Sequence, residues 1–169
     1  MILPWEMKEY FPIFTEDMEE RLRISLVRQF PTLPFARKAD RWLSSIKSKS
    51  IETQLRERRI IEDHYFPLSS CKGFISLSND GSGIIVYVDA DQGRGEKFFT
   101  LGHEIGHTFH FDLRTTPLKN TIPDMNDFEE GDPLYKLVEE FADAFAEKWL
   151  AGNGKGKMEE WRKRRNEHG

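Results

Sequence analysis

The segment His103-Glu-Ile-Gly-His107 sets two imidazoles four residues apart, with a carboxylate next to the first. On a helix, residues i and i+4 lie one turn apart on the same face. Both rings can then reach a single Zn²⁺ at about 2.0–2.1 Å. Glu104 falls beside that ion, too far round the helix to be a third ligand. From there it can take a proton from a metal-bound water and later pass it to a leaving amine. The spacing predicts a hydrolytic zinc centre with His103 and His107 as ligands and Glu104 as general base.

A catalytic zinc needs a third protein ligand and one open position. The segment Glu139-Glu-Phe-Ala-Asp-Ala-Phe-Ala supplies candidates. Glu139 and Asp143 share a helical face that avoids Val138, Phe141 and Phe145. One of the two can hold the metal while the other hydrogen-bonds a ligand histidine. Glu140, one step round, is the fallback ligand. His110 lies one turn past His107, either near the ligands or solvated. His64 and Tyr65 are candidates for steadying an oxyanion if the chain folds back, and Tyr87 and Tyr135 are weaker ones.

These residues need elements to position them. Phe98, Leu101, Ile105 and Phe109 recur at three- and four-residue steps, predicting a helix from about Glu96 to Phe111 whose buried stripe leaves the histidines free. Asp132-Pro133 reads as an N-cap with Pro at the first helical position. It opens a helix to about Leu150 that buries Leu134, Val138, Phe141 and Phe145 and ends at a left-handed Gly152. Gly73–Ser78 and Gly83–Asp89, joined by Asn79-Asp-Gly-Ser-Gly, predict a β-hairpin. Helices are expected over Asp17–Phe30, Ala36–Ser45 and Ser50–Asp63, the last with Arg56, Arg58 and Arg59 outward. Asp112–Asp132, poor in apolar residues, suits a loop covering the cleft, and Gly154 onward a frayed basic tail.

The strand Ile84-Ile-Val-Tyr-Val, the run Lys97-Phe-Phe-Thr-Leu-Gly into His103-Glu-Ile-Gly-His107, and the Glu139–Ala146 helix together resemble the ImmA/IrrE family of metallo-endopeptidases, of the gluzincin group. The resemblance spans about Ile84 to Leu150. It implies His103, His107 and Glu139 as metal ligands, Glu104 as the catalytic glutamate, and Asp143 one turn past the third ligand. It also implies a stress-responsive endopeptidase whose protein substrate is a regulator such as a transcriptional repressor. The interval between His107 and Glu139 is long for the family, and no DNA-binding domain accompanies the motif.

The expected fold is α+β: a small twisted sheet packed on the His103–His107 helix, with the Glu139 helix crossing beneath the metal. The regions are an N-terminal helical part (1–66), a zinc peptidase core (67–152) and a basic tail (153–169) in one compact domain. An edge strand in such a site takes the substrate chain by β-addition, and Gly83–Asp89 is the candidate edge.

Composition narrows the classes. A net charge of −4 over 169 residues argues against a nucleic-acid binder. The single Cys71 excludes an internal disulfide and suits a reducing compartment. Pro4 and Glu6 interrupt what a signal peptide would need, and no apolar run approaches about 20 residues. A cytoplasmic protein with one Zn²⁺ per chain and no membrane association is expected. The rival reading is a non-proteolytic metal-binding module that regulates or holds a protein partner, in which Glu104 would have no purpose.

Overall fold

The structure, a computed structural model, describes residues 34–120 and 133–168. The expected Asp17–Phe30 helix and most of the expected covering loop, Thr121–Asp132, lie outside them. The architecture is α+β. Helix α1 spans Pro34–Leu43, a 3₁₀ turn Ile46–Ser48 follows, and α2 spans Ile51–Glu57. Three strands come next: β1 (Ile60–Phe66), β2 (Gly73–Leu77) and β3 (Ile84–Asp89). Helix α3 (Arg94–His107) runs into a 3₁₀ turn at Thr108–His110, then two-residue strands β4 (Phe111–Asp112) and β5 (Lys119–Asn120). Helix α4 covers Pro133–His168. No helix among the described residues is long and apolar enough to cross a membrane.

The sheet has the order β1-β3-β2, with β3 parallel to β1 and antiparallel to β2. Strand β3 alternates strictly: Ile84, Val86 and Val88 are fully buried, while Ile85, Tyr87 and Asp89 are half-exposed. That period of two sets one face against α3. The β2–β3 hairpin forms as expected. Its turn is pinned by Asp80, whose Oδ1 accepts from the Ser78 hydroxyl, the Ser82 hydroxyl and the Ser82 N–H, while Gly81 takes φ 71°.

Three expectations are corrected. The helix from Ser50 stops at Glu57, because Arg59 turns the chain at φ 60° and Ile60–Phe66 enters the sheet instead. Thus a strand from the 1–66 region shares its sheet with the hairpin of the 67–152 core. Gly83–Asp89 is not an edge, since β3 is flanked on both sides; the edges are β1 and β2. The chain beyond Gly152 is helical. The left-handed residue is Gly154 (φ 71°, ψ 160°), where the helix axis breaks. Past that break, Met158 and Trp161 are buried and Arg165 lies 4.2 Å over the Tyr65 ring, paired with Asp63 at 2.8 Å. A thin stripe at 158, 161 and 165 docks this basic segment: Met158 and Trp161 join the core, and Arg165 ties it to β1.

Helices α3 and α4 form the heart of the core. Leu101 and Ile105 from the first, with Phe109 from the 3₁₀ turn after it, share one buried cluster with Phe141, Phe145 and Trp149 from the second. Gly102 and Gly106 allow the approach. A Cβ on Gly102 would lie 2.7 Å from the Trp149 ring, and one on Gly106 3.2 Å from the Ala142 Cα. Trp149 is in turn fixed by its indole N–H, which donates to buried Gln54 at 2.7 Å.

Candidate metal centre

His103 and His107 stand on the last two turns of α3, on the face turned away from Leu101 and Ile105. Glu139 stands near the start of α4, brought under them by the glycine-mediated crossing. The Nε2 atoms of the two histidines are 3.0 Å apart. Glu139 reaches both, with Oε2 3.0 Å from His103 Nε2 and Oε1 3.1 Å from His107 Nε2. Among the described residues, these three side chains bring their ligand atoms close enough together to hold a metal ion. Ligand atoms around a tetrahedral ion at 2.0–2.1 Å stand roughly 3.3 Å apart, close to the 3.0 Å between the two Nε2 atoms. Glu140, the alternative ligand, does not line the cleft.

The outer ring holds its expected member. Asp143 Oδ1 accepts from His103 Nδ1 at 2.7 Å. That bond fixes the tautomer and turns the Nε2 lone pair inward. His107 has no such help: its Nδ1 is buried with no hydrogen-bond partner among the described residues.

Charges at the site are strongly coupled. Burial disfavours the His103 imidazolium, but the bond to Glu139, the Glu104 and Glu139 charges and Asp143 outweigh it and raise its pKa to about 9. Burial would lift Glu139, yet the two histidines hold it well below the usual carboxylate range. Glu104, 4% exposed, is pushed up mainly by burial. A carboxyl so raised is better able to hold a proton between two transfers.

These groups open onto a cleft of about 690 Å³. Lys72 and, from edge strand β2, Gly73, Phe74 and Ile75 form one wall, with Phe99, Phe111 and Gln92 completing it. Gly73 presses on the floor, since a Cβ there would lie 2.6 Å from Thr100 and 3.3 Å from Glu104 Oε1. Gln92 ties the wall in place: its amide donates to the Lys72 and Asp89 carbonyls at 3.1 Å each, and its Oε1 accepts from Thr100 at 2.9 Å. Asp89 N–H bonds Lys72 O, and Ser78 N–H bonds Gly83 O. With this register, Gly73 and Ile75 direct their own N–H and C=O groups away from β3, along the sheet edge.

His110 lines the cleft but is 1% exposed, so the solvated option is excluded. Burial, with His107 nearby, pushes its pKa down to about 3, which leaves a neutral imidazole. The oxyanion candidates do not come to the site. His64 stacks on Tyr87 at 5.5 Å and Tyr87 on Phe74 at 4.5 Å, on the outer face of the sheet. Tyr65 lies under Arg165. The Tyr135 side chain is outside the described ones. Sequence reasoning missed β2 as the cleft wall and Gln92 as its tie; Thr100, four residues before Glu104, was the available signal.

No family model, curated protein or solved structure matches the chain.

Proposed function

We propose that this chain is a zinc-dependent endopeptidase. The observation that carries the reading is the pairing of a three-residue cluster able to hold a metal with a buried glutamate, Glu104, lining the same cleft. Three ligands leave an open position, and a purely structural site would close it and have no need of a base. A bound zinc ion would supply Lewis acidity toward water and the scissile carbonyl. His103, His107 and Glu139 would hold it, with Asp143 orienting His103. Glu104 takes the proton of the attacking water and returns it to the departing amine.

The shape of the cleft supports a polypeptide substrate. A chain lying extended beside β2 would meet the outward N–H and C=O groups of Gly73 and Ile75, adding a strand to the sheet. Kinship with the ImmA/IrrE endopeptidases, a regulatory protein as substrate and a cytoplasmic setting belong to the same proposal, supported by the sequence motifs alone.

The test is cleavage of a mixed peptide library by zinc-loaded protein, read by mass spectrometry of new N-termini. Wild type should cut, while Glu104→Gln and chelator-treated protein should not. A folded, zinc-loaded wild type that cuts nothing, or a Glu104→Gln form that cuts equally well, rejects the reading and favours the non-catalytic module.

A further inference from the structure

Ligand His107 is the last residue of α3. The end of a helix leaves its final carbonyls without intrahelical partners, and such turns fray unless something holds them. A glycine commonly closes a helix end, but here Thr108 follows, in right-handed conformation. Among the described residues, none gives His107 Nδ1 the orienting bond that Asp143 gives His103. The position of its ring therefore depends on its backbone.

That backbone is gripped from elsewhere in the chain. Arg58 reaches in from the end of α2, its Nε donating to Thr108 Oγ1 at 2.9 Å and its Nη2 to the Thr108 carbonyl at 3.3 Å. The guanidinium carbon lies 3.6 Å from the centre of the Phe109 ring. Thr108 is fully buried, and its hydroxyl donates to Ile105 O at 2.6 Å. The turn at Arg59 makes this possible by sending successive arginines opposite ways, Arg58 to Thr108 and Arg59 to the Ser82 carbonyl. A cation at a helix C-terminus also favours the helix dipole. Half-burying a guanidinium carries a desolvation cost, which the neighbouring Glu57 carboxylate offsets only in part.

We infer that Arg58 is a positioning residue for the metal centre, clamping the Thr108 turn so that His107 keeps its ring on the ion. This rests on the metal-site reading above. It places a function on an arginine whose sequence context suggests a solvated helix face.

The experiment compares wild type, Arg58→Met, Arg58→Lys and Thr108→Val. It reads zinc affinity by chelator competition, the visible absorption of the Co²⁺-substituted proteins, and cooperative unfolding of the metal-free forms. Arg58→Met should unfold cooperatively yet bind zinc at least about tenfold more weakly, in line with other supports of metal ligands. Its Co²⁺ bands should shift, and Arg58→Lys should restore part of both effects. Should Arg58→Met fail to fold, Thr108→Val, which removes the hydroxyl end of the clamp, decides by the same readings. Wild-type affinity and wild-type Co²⁺ bands in the folded variant overturn the inference. Wild type that binds neither ion overturns the metal reading itself, a separate outcome.

Discussion

Gly106 and Ala142 meet with no room between them: a Cβ on Gly106 would stand 3.2 Å from the Ala142 Cα and 3.1 Å from the Phe145 ring. Gly106 directly precedes His107, and Ala142 lies three residues beyond Glu139. The contact that sets the helix crossing therefore also sets the gap between two of the three side chains that could hold a metal.

Gly106→Val should push α4 away from α3. Overpacking of this kind costs about 1–3 kcal/mol. The distinguishing expectation is that zinc affinity falls as well, because Glu139 moves with its helix. Urea unfolding and chelator competition on one preparation check both, and loss of stability with unchanged affinity would uncouple the crossing from the site.

Asp143→Ala should leave the fold intact, since the side chain is largely exposed (58%). It removes the acceptor of His103 Nδ1, and zinc affinity should drop about 10–100-fold. Equal affinity in the variant would mean that the 2.7 Å bond does not orient the ligand.

Removing zinc should lower stability without unfolding the chain, because the core of Leu101, Ile105, Phe145 and Trp149 does not depend on the metal. With free zinc at 100 times its dissociation constant, the linkage is worth about 2.7 kcal/mol. At this chain length that corresponds to a fall in melting temperature of roughly 5–10 °C. Calorimetry with and without chelator measures it.

How far the molecule could be read in its sequence depended on how local each signal was. His103, Glu104 and His107 fall on one stretch of helix, so their spacing alone places the two imidazoles together. Glu139 and Asp143 were legible for the same reason. Strand β1 was not: Glu62-Asp63-His64 looks like the continuation of a polar helix face, and nothing in Arg58-Arg59 advertises a left-handed turn. Without β1, the parallel pairing that buries β3 is invisible in the sequence, and β3 looks like an edge. In the C-terminal segment, the many lysines and arginines hid the docking stripe of Met158 and Trp161.

That stripe gives a prediction of its own. Trp161→Ala should destabilise the protein by about 3–5 kcal/mol, as for a buried aromatic. In a frayed tail the same change would cost nothing. Urea denaturation separates the two.

The most direct test of the account is metal analysis of purified protein combined with X-ray absorption at the zinc edge. Wild type and Glu104→Gln should each carry about one zinc per chain, with nitrogen and oxygen ligands at about 2.0–2.1 Å. The His103→Ala/His107→Ala double variant should carry none. Full zinc occupancy in that double variant, or a metal-free wild type after zinc loading, would contradict a centre built on His103, His107 and Glu139.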